Sequence, residues 1–161
     1  NGNDRANGIA TDTVGNIYVV GSEYSTGQML NWLVRKYDNN GNLLWSRTYN
    51  SPANNDDEGE DVSVDNGGNV IVVGYERRTD IGQSHNWLIR KYDTSGNLLW
   101  SQTYYNPVTG TEIAWGIDVD PSSNIVVSRG RSIPSQLIPL DDKKIRPGRQ
   151  LDLVQNICQS L

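Results

Sequence analysis

The densest group of side chains that could do chemistry is the acidic run Asn54 to Asp61, which reads Asn-Asn-Asp-Asp-Glu-Gly-Glu-Asp. Carboxylate and amide oxygens are the ligands that Ca²⁺ prefers, and they also accept hydrogen bonds from polar ligands. The run lacks the alternating ligands and final Glu of an EF-hand loop, so a solvated charged loop is the alternative interpretation. We predict a binding site here, with Ca²⁺ as the one candidate cofactor. Its predicted binding residues are Asp56, Asp57, Glu58 and Glu60.

Nucleophilic and metal chemistry is limited by the presence of one His and one Cys. A zinc cluster, a disulfide within the chain and a Cys–His dyad of ordinary design are therefore not expected. The sequence places no nucleophile or orienting acid beside His85, which we interpret as a solvated loop residue. We predict no catalytic residues and favour a protein that is not an enzyme. A lyase or hydrolase that uses the acidic run is the alternative.

Aromatic bulk comes only from five Trp and eight Tyr, because Phe is absent. Tyr24 lies in the segment Ser22 to Leu30, where it either stacks on a ligand or packs within a loop. We retain Tyr24 as a predicted binding residue. The Trp residues form either a sugar-stacking surface or the packing between repeated units, and their recurrence along the chain favours packing. They are Trp32, Trp45, Trp87, Trp100 and Trp115.

Charge and hydropathy exclude two classes of partner. The net charge is −5, and no apolar run approaches the roughly 18 residues of a membrane-spanning helix, so we expect neither nucleic acid nor a membrane span. The charge is uneven, since residues 1–128 hold 8 basic and 16 acidic side chains whereas residues 129–161 hold 6 and 3. We interpret residues 129–161 as a separate non-repeat tail, disordered or folded as a short helix from Gln150 to Leu161.

The elements that position these residues follow from an internal repeat. The stretch Asn31 to Asp38 recurs almost unchanged at Asn86 to Asp93, and Asp12 to Gly21 returns as Asp65 to Gly74. A third, degraded copy spans Asp120 to Val127. A period of about 54 residues is typical of architectures in which neighbouring units stack to bury their apolar faces.

Each unit contains four predicted strands. Period-two alternation marks the first at Ile9 to Thr11, and an Asp-x-x-Gly-Asn pentad closes a tight hairpin after it. Ile17 to Val20 is apolar on both faces, which indicates a second strand between two layers. A looser segment, Ser22 to Leu30, precedes the third strand at Trp32, and Leu43 to Tyr49 is the fourth. Four antiparallel strands per unit predict an all-β fold of β-propeller blades and exclude helical solenoids.

The third strand contains an irregularity, because Arg35 and Lys36 are adjacent and simple alternation would bury one charge. We predict a bulge at this pair and at its repeat, Arg90 and Lys91. In such blades the longer links emerge on one face and the tight hairpins on the other. We predict that binding lies on the long-loop face. Its loops are residues 22–30, 50–60, 76–84 and 106–112.

Residues 1–128 hold two complete units and about half of a third. Known propellers close with about 4 to 8 blades, so the predicted ring is incomplete. The chain begins Asn1-Gly2 without an initiator Met, and we expect a piece of a longer protein. The alternative is a protomer whose ring closes as a homo-oligomer.

The units resemble the bacterial and archaeal β-propeller repeats called SBBP or delta-60 repeats. The resemblance rests on Trp-Leu-Val-Arg-Lys-Tyr-Asp-x-x-Gly-Asn-Leu-Leu-Trp at Trp32 to Trp45, extends over residues 1–128 and fails after Val127. It implies an extracellular or cell-surface protein. We predict a non-catalytic scaffold or a binder of glycan or protein. A fragment of a propeller enzyme and a structural oligomerisation unit are the alternatives.

Overall fold

The computed structural model describes residues 4–105 and 111–129. In this part of the chain the structure is built from strands, with one short 3-10 helix, Thr79–Ile81. The strands are β1 Arg5–Thr11, β2 Ile17–Ser25, β3 Met29–Tyr37, β4 Leu43–Tyr49, β5 Glu58–Val64, β6 Val70–Arg77, β7 His85–Tyr92, β8 Leu98–Tyr104, β9 Ala114–Val119 and β10 Ile125–Arg129.

The strands form three antiparallel sheets. Strands β1 to β4 pair in sequence order, and we call this sheet the first blade. Strands β5 to β8 repeat that order as the second blade, and β9 pairs with β10 as the third unit. The predicted four-stranded propeller blades are confirmed, and the described residues form no closed ring. The predicted tail beyond Arg129, with its alternative of a short helix, lies outside the described residues.

The predicted Asp-x-x-Gly-Asn hairpins are confirmed, and one side chain organises each turn. Asp65 Oδ1 accepts hydrogen bonds from the backbone N–H groups of Gly67 at 2.9 Å and Asn69 at 2.8 Å. The fourth residue, Gly68, has a φ of +76°, which favours glycine. The third unit keeps the turn with Ser123 at that position, at a φ of +64°. The pentad therefore serves to form the hairpin turn, and each unit repeats it.

Apolar packing lies between neighbouring sheets. Val70 and Val72 of β6 face the first blade, where they meet Trp32, whereas Ile71 and Val73 face the third unit. All five side chains are buried because each blade is covered on the face that it turns towards a neighbour. The prediction that the second strand lies between two layers is confirmed for β6.

The predicted loop from Ser22 to Leu30 is wrong. Strands β2 and β3 continue to pair as far as Ser25 and Met29, so the turn between them is only residues 26–28. In consequence Tyr24 is a strand residue opposite Leu30 and not part of a loop. The segment looked loop-like because its side chains are mostly polar, but backbone pairing with β3 does not depend on an apolar face.

The predicted bulge is displaced to the partner strand. Lys36 pairs with Trp45 and Tyr37 with Leu43, so the extra residue is Leu44 on β4. The second blade has the same shift. Strand β3 keeps its alternation and Lys36 is buried, contrary to the reasoning that a bulge would spare the charge. Its ammonium group donates to the Thr94 carbonyl oxygen at 3.2 Å, which offsets the loss of water.

In the described residues, no helix is long and apolar enough to cross a membrane. His85, expected in a solvated loop, begins strand β7 and is half-buried. Its ring lies edge-on against Tyr75, with ring centroids 4.8 Å apart. Burial lowers the pKa of His85, and the nearby charge of Arg77 lowers it further.

Candidate functional site

The inner strand of each unit carries one extra residue. In β1, Asn7 stands between two residues that pair with adjacent positions of β2. Glu60 occupies the same place in β5 and Trp115 in β9. Bulges re-aim a side chain away from the regular pleat, and they occur often at binding sites. We call Asn7, Glu60 and Trp115 the bulge row.

Glycines opposite the bulges allow the backbone to bend. A Cβ on Gly21 would lie 2.0 Å from the Arg5 carbonyl oxygen, and one on Gly74 would lie 2.1 Å from the Glu58 carbonyl oxygen. Backbone atoms cannot move aside as a flexible side chain can. Each bulge in the two complete blades therefore depends on a residue without a side chain on the neighbouring strand.

Direct contacts join the inner strands. Asn7 Nδ2 donates to the Gly59 carbonyl oxygen at 2.9 Å, and the Ile117 N–H donates to Asp61 Oδ2 at 3.0 Å. A Cβ on Gly8 would lie 2.9 Å from the Asp61 Cα atom, so β1 and β5 approach each other closely. The bulge row thus consists of equivalent positions on three neighbouring strands. It lies near the beginning of each inner strand, which is the end of the blade where the sequence predicted the long loops.

Glu58 is buried beside the row with its carboxylate fully engaged. It forms an ion pair with Arg5 at 3.2 Å, accepts from the Tyr75 hydroxyl at 2.7 Å, and accepts from the Ser22 hydroxyl at 3.4 Å. Burial and the hydrogen bond to Glu58 raise the pKa of Tyr75. Glu58 was predicted as a binding residue in a loop, but it lies in β5 and its oxygens face donors of the protein.

Glu60, another acidic residue of the run, has a pKa near neutrality. Burial and, to a smaller extent, the negative charge of Glu58 raise its pKa to about 7, and Arg5 opposes the rise. Its charge therefore changes near physiological pH. Like Glu58, it lies in β5 and not in the predicted loop.

Replacing Glu60 with Gln is expected to flatten part of the pH dependence of stability. Because the pKa of Glu60 rises from 4.5 to about 7 on folding, the folded chain binds more protons in this window and loses stability as pH increases. Glu60→Gln should lose less stability than the wild-type chain between these two pH values and be the more stable protein above them. Urea unfolding at a series of pH values measures the difference.

Asp80→Asn is the control for this experiment. Asp80 is exposed, and its hydrogen bond to Arg78 lowers its pKa below 3.8. Its removal should therefore leave the slope between pH 4.5 and about 7 unchanged. Parallel stability curves for Glu60→Gln and the wild-type chain would contradict the assignment.

The carboxylates of Asp57 and Asp56 stabilise the loop that precedes β5. The Asp57 carboxylate accepts from the backbone N–H groups of Ser51 and Arg77, and burial raises its pKa to about 6. Asp56 accepts from the Leu30 N–H at 3.4 Å and pairs with the Arg77 guanidinium at 3.9 Å. No group of three or more His, Cys, Asp or Glu in residues 4–105 and 111–129 is arranged to hold a metal ion. Binding at Asp56 and Asp57, with or without Ca²⁺, stays a prediction.

The aromatic residues divide between packing and exposure. Trp32 and Trp87 are buried between sheets, as predicted for packing residues. Trp115 is 52% exposed in the bulge row, so the packing interpretation is wrong for this residue. Tyr24 is also exposed, and its N–H donates to Asp4 Oδ1 at 2.9 Å. Its role in binding stays a prediction.

Sequence reasoning missed Asn7 and Trp115 as members of one site. The signal was present, since Asn7 and Glu60 differ by the same offset of 53 residues as Asp12 and Asp65. Alignment of the units by their Asp turns would have brought the two residues into one column. It would not have revealed that the column is a bulge.

A family comparison covers the first hairpin. The family model of the SBBP β-propeller repeat matches residues 1–22, which include β1, the Asp12 turn and the start of β2. Residues 1–22 are identified as SBBP β-propeller repeat sequence. The Asn7 bulge lies inside the matched SBBP segment. The second blade, outside the matched segment, repeats the same turn and the same bulge.

Comparison with solved structures supports the fold. A crystal structure of a protein of unknown function from Bacteroides caccae is similar, with a TM-score of 0.58 and 14% sequence identity. The match covers 96% of this chain and 47% of that chain, so the chain spans about half the length of this structural relative. No curated protein matches the sequence.

Proposed function

We propose that the chain is a non-catalytic binding module of a secreted or cell-surface protein and that it binds glycan through the bulge row. The observation that carries the proposal is the exposed Trp115 indole at the position that holds Glu60 and Asn7 on the neighbouring inner strands. An indole offers a flat apolar surface to the C–H face of a sugar ring. Carboxyl and amide groups can exchange hydrogen bonds with sugar hydroxyls.

The size of the row favours a glycan over a protein. Stable protein interfaces bury about 800 Å² on each partner, which three adjacent side chains do not provide. One aromatic and two polar residues at equivalent positions of three neighbouring strands match the small, mixed surface of a sugar residue. The placement outside the cell is supported by the SBBP repeat alone.

Removal of the Trp115 side chain is expected to weaken glycan binding by about ten-fold or more, because aromatic residues often supply most of the energy at a small site. The probes are soluble β-glucan, chitin and pectin oligosaccharides, titrated by calorimetry against the full chain. At least one of them should bind the wild-type chain.

Tyr105→Ala is the matched control, since Tyr105 is an exposed aromatic residue outside the bulge row. Its removal should leave affinity unchanged. The absence of binding to all three classes of oligosaccharide would argue against a glycan. Loss of binding in a Tyr24→Ala variant but not in Trp115→Ala would place the site at Tyr24 and contradict the role of the row.

A further inference from the structure

The free hydrogen-bonding groups of the bulge row are mostly acceptors. Asn7 Nδ2 donates to the Gly59 carbonyl oxygen at 2.9 Å, whereas Asn7 Oδ1 has no donor among the described residues. The Glu60 carboxylate also lacks a hydrogen-bond donor and an ion pair within residues 4–105 and 111–129. Amide and carboxylate oxygens accept hydrogen bonds, so the two polar members of the row favour a ligand that is rich in donors.

The charge around Glu60 is incompletely balanced. Arg5 is the cation that acts on Glu60, but its Nη1 atom already lies 3.2 Å from the Glu58 carboxylate. Asp61, the next residue of β5, adds a third carboxylate, whose Oδ2 atom accepts from the Ile117 N–H at 3.0 Å. One guanidinium group is therefore shared among three carboxylates, and the ionised row keeps a negative charge.

The exposed Trp115 indole lies close to this charge. The Ile117 N–H of β9 bonds Asp61 Oδ2 of β5, and a Cβ on Gly116 would lie 3.7 Å from the same oxygen. Glu60 and Trp115 immediately precede Asp61 and Gly116 on their strands. An aromatic face attracts positive charge, and a carboxylate forms charge-assisted hydrogen bonds with an ammonium group, so the pair suits a cationic ligand.

We propose that the bulge row selects amino sugars that carry a free ammonium group, such as oligosaccharides of deacetylated glucosamine. This selection rests on the proposed function, since the same row is the glycan site. The sugar ring stacks on Trp115, its ammonium group donates to Glu60, and a hydroxyl group donates to Asn7 Oδ1. A uronic sugar is disfavoured, because its carboxylate accepts hydrogen bonds and carries the same sign of charge as the row.

The pKa of Glu60 agrees with this selection. Burial and, to a smaller extent, the charge of Glu58 raise it to about 7, although Arg5 opposes the rise. An ammonium group beside Glu60 would favour the ionised carboxylate, as the guanidinium of Arg5 does. The ligand thus supplies positive charge that the folded chain does not provide in full.

Two ligands that differ in one group test the proposal. Chitosan and chitin oligosaccharides of equal length share a sugar backbone, but only the first carry free amino groups. Both are titrated by calorimetry against the full chain at about pH 6.5, where the sugar amine and Glu60 each carry a substantial part of their charge. We expect the chitosan oligosaccharide to bind about five-fold or more tightly, and galacturonic acid oligosaccharides from pectin to bind most weakly.

Glu60→Gln isolates the contribution of the charge, because it keeps the size of the side chain. It should narrow the ratio between the chitosan and chitin affinities to about two-fold or less. Glu23→Gln is the matched control, since it removes the same charge from β2, where Glu23 pairs with Arg35 at 3.6 Å. That variant should keep the ratio of the wild-type chain.

The outcomes separate this proposal from the proposed function. Equal binding of chitosan and chitin oligosaccharides, both weakened by Trp115→Ala, would leave a glycan site and overturn the selection for an ammonium group. Tighter binding of the pectin oligosaccharide would overturn the selection as well. A preference for chitosan that persists in Glu60→Gln would contradict the role of Glu60. Absence of binding to every oligosaccharide would overturn both proposals.

Discussion

Trp32→Ala is expected to destabilise the chain by about 3–5 kcal/mol, the range measured when a large buried aromatic side chain is removed. Trp32 is fully buried in the cluster that joins the two blades. A Cβ on Gly59 of the second blade would come within 3.2 Å of its ring, so the indole fills the space up to the neighbouring backbone. Removing it leaves a cavity between two sheets that a rigid backbone cannot close.

Trp115→Ala is the matched control, because it removes the same side chain from an exposed position. Its cost should stay within about 0.5 kcal/mol. Guanidinium unfolding followed by far-ultraviolet circular dichroism measures both variants without relying on the fluorescence that the substitutions change. Equal costs for the two variants would contradict the assignment of Trp32 to the packing between blades.

Gly74→Ala is the second substitution with a large expected effect, about 3 kcal/mol or more, which exceeds the usual cost of an extra methyl group in a core. The added Cβ would lie 2.1 Å from the Glu58 carbonyl oxygen and 3.0 Å from the Glu60 nitrogen. Both are backbone atoms of the bulged strand β5. Relief of the clash requires β5 to move, which also disturbs the hydrogen bonds of the Glu58 carboxylate.

Gly67→Ala is the control for the added methyl group. Gly67 lies in the Asp65 turn, and the atoms nearest its added Cβ are the side-chain ends of Asn69 and Asp65, at 3.1 and 3.3 Å. Its cost should be about 1 kcal/mol or less. Thermal and denaturant unfolding of both variants test the difference. A Gly74→Ala protein as stable as Gly67→Ala would show that the bulge tolerates a side chain on β6.

The parts of the fold that follow from local chemistry were predictable from the sequence. An Asp side chain that caps its own turn, followed by Gly at a positive φ, needs only five consecutive residues. The apolar run Val70 to Val73 marks a strand covered on both faces because no polar side is present. Repetition of these signals at fixed offsets was sufficient to predict four-stranded blades.

The misplaced elements depend on partners distant in sequence. Glu58 and Glu60 look like a charged loop because acidic residues are uncommon in strands. The burial of Glu58 in β5 is stabilised by Arg5, 53 residues away, and by Tyr75 on the next strand. The burial of Lys36 is tolerated because a carbonyl oxygen of the second blade accepts a hydrogen bond from its ammonium group. A local pattern does not contain these partners.

The acidic run that the sequence singled out contains one member of the bulge row, Glu60, and its role in binding stays a prediction. Of the acidic residues, Asp57 and Glu58 are taken up by hydrogen bonds that hold the blades together. Glu60 remains as a candidate because the bulge removes it from the regular pleat. The acidic run alone could not predict the bulge row, since the other members of the row, Asn7 and Trp115, belong to different repeats.

The bulge row offers positions whose side chains can change without a change of the fold. Each unit contributes one residue to the row, and the glycine on the adjacent strand maintains the bulge in both complete blades. A codon change at Glu60 or Trp115 thus alters the chemistry of the row, while the apolar packing between the blades is kept. Duplication of a unit adds one further independently variable position. A lineage of such repeats can therefore diversify the side chains of the row one blade at a time.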